Sequence, residues 1–208
     1  MVKVTAPAMS LDASGTLGKA LVFSKWKGRN YVRTRVIPSN PKSGGQVGVR
    51  AMFKFLTQIW QSLTDANQAT WEDRADDMVV SPFNAFISYN QNRWRNFDAP
   101  SIEDPADETG VAPTGPTGVA TPGVRSMTVV LTDTVTPPDF TYLLFRSLTG
   151  VFTLAWDNCI AVVPWDSGGT TTYIDTPLEP DQYFYNAIGT LETGLSGADG
   201  TEFDGTIV

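Results

Sequence analysis

Few residues in this chain could do chemistry, and their spacing excludes more than it suggests. The 208 residues include no His and a single Cys, Cys159. Without His, the Ser-His-Asp and Cys-His nucleophile systems cannot be built. With one Cys there is no intramolecular disulfide and no Cys-based zinc site. A phosphate loop needs Gly-x-x-x-x-Gly-Lys-Ser/Thr, so that backbone N–H groups cradle phosphate while a hydroxyl holds magnesium. Gly15-Thr16-Leu17-Gly18-Lys19-Ala20 has the wrong spacing, and Ala stands where the hydroxyl belongs. Lys19 or Lys25 would act as a base only in a dry pocket, which no neighbouring residues supply. Glu72-Asp73 and Asp76-Asp77 flank Arg74 and read as a solvated face rather than a glycosidase pair. Asp166, Asp175 and Asp181 stand beside turn residues, where Asp caps backbone N–H groups far more often than it binds calcium. No catalytic residue, no metal site and no cofactor is assigned, and an enzyme is the least supported class.

The sequence does offer a contact surface. Lys25, Trp26, Lys27, Arg29, Tyr31, Arg33 and Arg35 interleave cations with aromatic rings. Such a mixture suits nucleic acid, with phosphates on the cations and bases on the rings. It suits a protein interface equally, where Arg and aromatics are the preferred anchors. Charge placement separates the two. Residues 1–60 hold ten Lys/Arg against Asp12 alone, and residues 61–100 hold three basic and six acidic residues. Residues 101–208 hold Arg125 and Arg146 against fifteen acids, and the whole chain is −7. An anionic tail repels a polyanion, so a protein partner is favoured over nucleic acid. The expected anchors are Trp26, Lys27, Arg29, Tyr31, Arg33, Arg35 and Arg50. No apolar run approaches the ~20 residues that span a bilayer, so no membrane partner is expected. Met1 to Ser10 lacks a basic-then-apolar leader pattern, so export by the usual route is not expected either.

These residues need elements to hold them. Residues 20–36 alternate as two strands around Gly28, a β-hairpin. Arg29, Tyr31, Arg33 and Arg35 share one parity there, and Val32, Thr34 and Val36 the other. A two-stranded ribbon is marginal alone in water and needs a surface to lie on. Pro38 to Gly45 breaks it. From near Gln46, residues Val49, Met52, Phe53, Leu56, Ile59, Trp60 and Leu63 follow helical spacing. Thr64 caps a second helix across Gln68, Trp71 and Ala75. Ser81-Pro82 opens a third, with Phe83, Phe86, Ile87, Asn90 and Trp94 on one face. Three such helices predict a small bundle. Residues 99–123, with five Pro and four Gly, read as a semi-extended linker. Beyond it the period becomes two, with strand candidates at 124–131, 141–146, 159–163 and 182–188 separated by turn signals. That spacing predicts a β-sandwich.

The predicted fold class is therefore α+β and multidomain. An extended arm and basic β-hairpin occupy 1–37, a small helical domain 38–98, a linker 99–112 and an all-β sandwich 113–208.

Two stretches carry resemblances. Residues 171–188 resemble the later strands of a fibronectin type III domain: Tyr173, Asp175, Leu178-Glu179-Pro180, then Tyr183-Phe184-Tyr185. The resemblance, across about 113–208, implies an immunoglobulin/fibronectin III-like sandwich. It makes Tyr183 the buried corner tyrosine and Leu178 its packing partner. The N-terminal part is similar to tailed-bacteriophage and prophage proteins. Gly18, Trp26-Lys27-Gly28, Tyr31, Arg33, Asn40-Pro41, Gln46, Arg50 and Phe53 carry this likeness, which continues through Trp71 and residues 84–90. It implies a virion structural protein, assembled in the host cytoplasm, whose fibronectin-like module stands on the particle's outside. The expected function is a capsid decoration or cement protein, anchored by its basic N-terminal region on other capsid or tail subunits and present as a homo-oligomer. A neck or tail component, or a glycan-binding surface module, is the alternative.

Overall fold

The computed structural model describes residues 15–27, 29–37 and 43–208, with Arg29 and Asn30 described in backbone only. The arm expected over 1–14, the Gly28 turn position and the break at 38–42 lie outside them. The chain forms two compact units, Met1–Pro41 and Lys42–Val208.

In the first unit, β1 (Gly15–Leu17), β2 (Leu21–Trp26) and β3 (Arg29–Thr34) form an antiparallel meander in that order. The hairpin expected over 20–36 is present, with Trp26 opposite Arg29 and Leu21 opposite Thr34. A third strand joins it from residues expected to be an arm. Gly18 and Lys19 take φ of +55° and +59°, which reverses the chain so that Leu17 pairs with Leu21. The Arg35 N–H donates to Ala20 O at 2.7 Å and prolongs the ladder past β3.

The second unit stacks helices and two sheets. Four helices run from α1 (Gly44–Ser62) through α2 (Asp65–Ala69) and α3 (Glu72–Met78) to α4 (Pro82–Arg95). Thr64 and Ser81 accept from the Asn67 and Asn84 N–H groups, which starts α2 and α4 where their caps indicate. Trp71 interrupts the single helix expected after Thr64, leaving α2 and α3. Eight strands follow: β4 (Thr117–Gly123), β5 (Ser126–Thr132), β6 (Thr141–Ser147), β7 (Cys159–Pro164), β8 (Thr170–Asp175), β9 (Gln182–Thr190), β10 (Ser196–Asp199) and β11 (Phe203–Thr206). They form a three-stranded sheet, β4-β5-β8, and a five-stranded sheet, β10-β9-β6-β7, with β11 also on β9.

Between the sheets, Met127, Val129 and Leu131 of β5 pack with Tyr142 and Leu144 of β6 and with Tyr183, Tyr185 and Ala187 of β9. β5 alternates, because its sheet has one covered face. β6 is buried on both faces from Thr141 to Phe145. Its opposite side, Leu143 and Phe145, joins Met52, Phe55 and Leu56 of α1, together with Trp71, Phe86 and Trp94. The helices therefore do not form a separate bundle; they cover the outer face of the five-stranded sheet. Gly48 permits this contact, since a Cβ there would lie 2.6 Å from Cys159 O and 2.9 Å from the Trp94 ring. The helical stripe is also rotated from its expected position: Phe55 is 2% exposed, while Phe53 is 48% exposed.

The linker expected at 99–112 is likewise part of this fold. Asn90 accepts from the Ser101 N–H at 2.7 Å and donates to Ser101 O at 3.0 Å, both buried. Arg74 grips Asp104 through Nε and Nη2 at 2.7 and 2.8 Å. Arg93 donates to Ala99 O, Glu108 Oε1 and Gly194 O. The N–H groups of Ile102 and Glu108 bond the carbonyls of Glu192 and Thr193. Composition marked this stretch as loop, but side chains of α3 and α4 hold it as a strap against the β9–β10 turn.

Candidate functional site

Six of the seven expected anchors belong to the N-terminal unit, and register sorts them. Residues directly opposite across antiparallel strands share a face. Trp26 opposes Arg29, Ser24 opposes Tyr31, and Val22 opposes Arg33, so these positions lie on one face. Trp26 is 69% exposed and Tyr31 40%, with Arg33 and Arg35 exposed as well. Lys27, in the turn at φ +46°, holds its Nζ 5.9 Å from the centre of the Trp26 ring. The Arg29 side chain lies outside the described residues. The opposite face carries Leu17, Leu21, Phe23 and Val32. No described side chain of residues 15–37 is buried.

Arg50 belongs to the second unit, where it marks a second surface. It lines three hollows along α1. The largest, of about 410 Å³, is a groove whose helix wall carries Arg50, Ala51, Lys54 and Gln58. Its floor is every residue from Ile160 to Pro164 of β7, and Tyr173 of β8 closes the far side. It continues past Arg50 into a hollow of about 380 Å³ reaching Arg146, Asp175 and Thr176. A third hollow, also about 380 Å³, runs from Arg50 towards Arg95 and Trp156, whose ring lies 5.9 Å from the Arg95 guanidinium carbon. Only Arg50 was legible as a surface residue here. The i, i+4, i+8 run of Arg50, Lys54 and Gln58 was a further signal in the sequence, but nothing local places β7 beneath it.

Most buried polar groups are committed to structure; the buried Trp94 indole N–H has no hydrogen-bond partner among the described residues. Asp175 accepts from Arg146 Nη1 at 2.7 Å and from the Tyr185 hydroxyl at 3.0 Å. Burial pushes the Tyr185 hydroxyl far above the usual tyrosine range, and Asp175 reinforces the shift. At the other end of β6, the Tyr142 hydroxyl and the Trp165 indole N–H both donate to Asp133. Tyr142 is raised in the same way, by burial first and Asp133 second. Burial pushes the Cys159 thiol up to about 12, which leaves it un-ionised at neutral pH. Among the described residues, no three His, Cys, Asp or Glu side chains stand close enough to hold a metal ion. No described helix is long and apolar enough to cross a membrane. What the two surfaces can do is bind: one through an aromatic-cationic sheet face, the other through a cation-walled groove.

A family of unknown function, DUF6266, matches residues 13–101, which takes in the meander, all four helices and the start of the strap. No curated protein matches the chain. Among solved structures, the chain is similar to a β-1,2-glucanase from Parabacteroides distasonis, at 16% identity and a TM-score of 0.38. That match covers 48% of this chain and 13% of the glucanase. It is similar to an Fn3-like protein from Clostridium thermocellum at 22% identity and a TM-score of 0.30, over 47% of this chain and 96% of that one. A PKD domain of an M14-like peptidase from Thermoplasmatales archaeon SCGC AB-540-F20 matches at 16% identity and 0.29, over 46% and 98%.

Proposed function

We propose that this chain is a non-enzymatic structural protein of a tailed-phage particle, a capsid decoration protein held on neighbouring subunits by its N-terminal unit. The observation that carries this reading is a meander in which no described side chain is buried. An antiparallel sheet is stable when at least one face is covered. Here Leu17 and Val32 on the apolar face are 51% and 54% exposed, and Trp26 and Tyr31 on the other stand out among cations. A sheet of this kind gains its stability on a partner, with Trp26, Tyr31, Arg33 and Arg35 as anchors. Charge supports the same polarity. The first unit carries seven Lys/Arg against one acid, and the second carries eight against twenty-one. The cationic unit faces the partner, and the anionic unit remains in solvent, where like charge keeps copies apart.

The β part of the second unit is, in this reading, a fibronectin III-like sandwich. The strand order of the two sheets supports it, as does Tyr183, which is 6% exposed and donates its hydroxyl to Glu179 O at 3.0 Å. Leu178, 4% exposed, shares its core. Many copies bound to repeated sites would make a weak individual contact strong by avidity.

The test is incorporation. Full-length chain and a chain of residues 42–208, each supplied in trans during particle assembly, are compared in purified particles by quantitative mass spectrometry. Full-length chain is expected in the particles and the truncated chain only at background. Equal incorporation of the two would overturn the role of the N-terminal unit.

A further inference from the structure

The groove between α1 and β7 has features that the N-terminal contact does not use. Among the described residues β7 is an edge strand, paired with β6 alone. Edge strands are ordinarily blunted by Lys, by other charges or by an early Pro. Cys159-Ile160-Ala161-Val162-Val163-Pro164 carries no charge, and its one proline comes at the end. The groove follows this edge residue by residue from Ile160 to Pro164, rather than crossing it. A helix beside an uncharged strand edge is the arrangement in which an extended peptide adds as a further strand.

We propose that this groove takes an extended acidic segment of a partner chain as an added strand on β7. The spacing of the walls sets the motif. Arg50 and Lys54 stand one helical turn apart on α1, about 6 Å along its axis. In an extended strand, residues two apart are about 6.7 Å apart on one face. Two acids separated by one residue therefore meet Arg50 and Lys54 together, and Gln58 offers an amide to the next position. The intervening residue points the other way, towards Tyr173 on β8, so an apolar or aromatic side chain fits it. The recognised segment is acid-x-acid with x apolar; the backbone ladder gives affinity, and the cations give direction and selectivity. This surface and its partner are independent of the N-terminal docking.

The test uses the full-length chain and a fluorescein-labelled octapeptide of alternating Asp and Val, read by fluorescence polarisation at low salt. Saturable binding is expected, with a Lys-Val peptide of the same length not binding. Reversing both wall charges (Arg50→Glu with Lys54→Glu) is expected to weaken binding at least tenfold, and the milder Lys54→Gln several-fold. Both positions are exposed, and far-UV circular dichroism confirms that each variant is folded. N-methylation of every second peptide amide is expected to abolish binding in one register and spare it in the other, since only one set of amides can face β7. Arg33→Glu with Arg35→Glu, on the other unit, should leave binding unchanged. Absence of saturable binding, equal binding of the Lys peptide, or indifference to wall reversal would overturn the proposal. So would indifference to both methylation patterns, or a loss that follows Arg33 and Arg35.

Discussion

Replacing Gly48 with Ala asks whether the helices and the β-sheets are one folded body. In an independent helix the change is favourable, because Ala is preferred over Gly by about 1 kcal/mol in a helix interior. In this fold the new methyl would lie 2.6 Å from Cys159 O and 2.9 Å from Trp94 Cζ2, well inside the 3.4 Å of ordinary contact. Neither neighbour yields easily. One is the backbone of β7, and the other is an indole that is 1% exposed. Overpacking of this kind costs about 1–3 kcal/mol. The helix preference offsets about 1 kcal/mol of that, which leaves a net loss of up to about 2 kcal/mol. At about 2–4 °C per kcal/mol for a unit of this size, Tm falls by up to roughly 4–8 °C. The assay is urea unfolding of the full chain, followed by far-UV circular dichroism and tryptophan fluorescence together. The expected result is a lower midpoint for Gly48→Ala at the same position by both probes. A rise in stability, or a helix signal unchanged while the fluorescence midpoint moves, would refute the shared core.

Other outcomes follow from the same contacts. Asn90→Leu removes both bonds to Ser101 and leaves buried backbone groups unpartnered, so unfolding in urea should show a loss of about 2–4 kcal/mol. Tyr183→Phe gives up the bond to Glu179 O alone and should cost about 1 kcal/mol by the same measurement. Alkaline pH should destabilise the second unit. Cys159, at about 12, and Tyr142, Tyr173 and Tyr185, all raised chiefly by burial, hold their protons more tightly folded than unfolded. Their contribution is intact below about pH 9 and is lost above it, first from Cys159 and from about pH 10 also from the tyrosines. Unfolding free energies measured from pH 7 to 11 should begin to fall near pH 9, and Cys159→Ala should delay the onset; a flat profile to pH 11 would contradict this.

Local chemistry was legible in the sequence, and tertiary placement was not. Thr64 and Ser81-Pro82 announce helix starts because a cap bonds its own helix. The Trp26–Arg29 turn is similarly local. Phe53 and Phe55 could not be ranked by period, because Val49, Met52, Phe53 and Leu56 and the true face share most members; the sheet decides between them. One signal for the layered arrangement was present. The unbroken apolar run of Tyr142-Leu143-Leu144-Phe145 differs from the alternation of β5, and such a run marks a strand covered on both faces. The strap at 99–112 escaped because its partners, Asn90, Arg74 and Arg93, lie on helices whose outward or inward direction composition does not reveal. The short strands β10 and β11 carry Gly and Asp, which read as turns until β9 is beside them. The basic face of the meander was visible as parity, whereas the α1–β7 groove joins residues more than a hundred positions apart.

The most direct measurement is hydrogen exchange at residues 15–37, made on the isolated chain and again on the chain bound in its particle. With no buried side chain among its described residues, the meander should exchange within seconds in the isolated chain. It should slow by about 100-fold or more in the particle, while the amides of β6 and β9 stay protected in both states. Equal protection of residues 15–37 in the two states would show that the sheet needs no partner, and the docking role assigned to Trp26, Tyr31, Arg33 and Arg35 would fall.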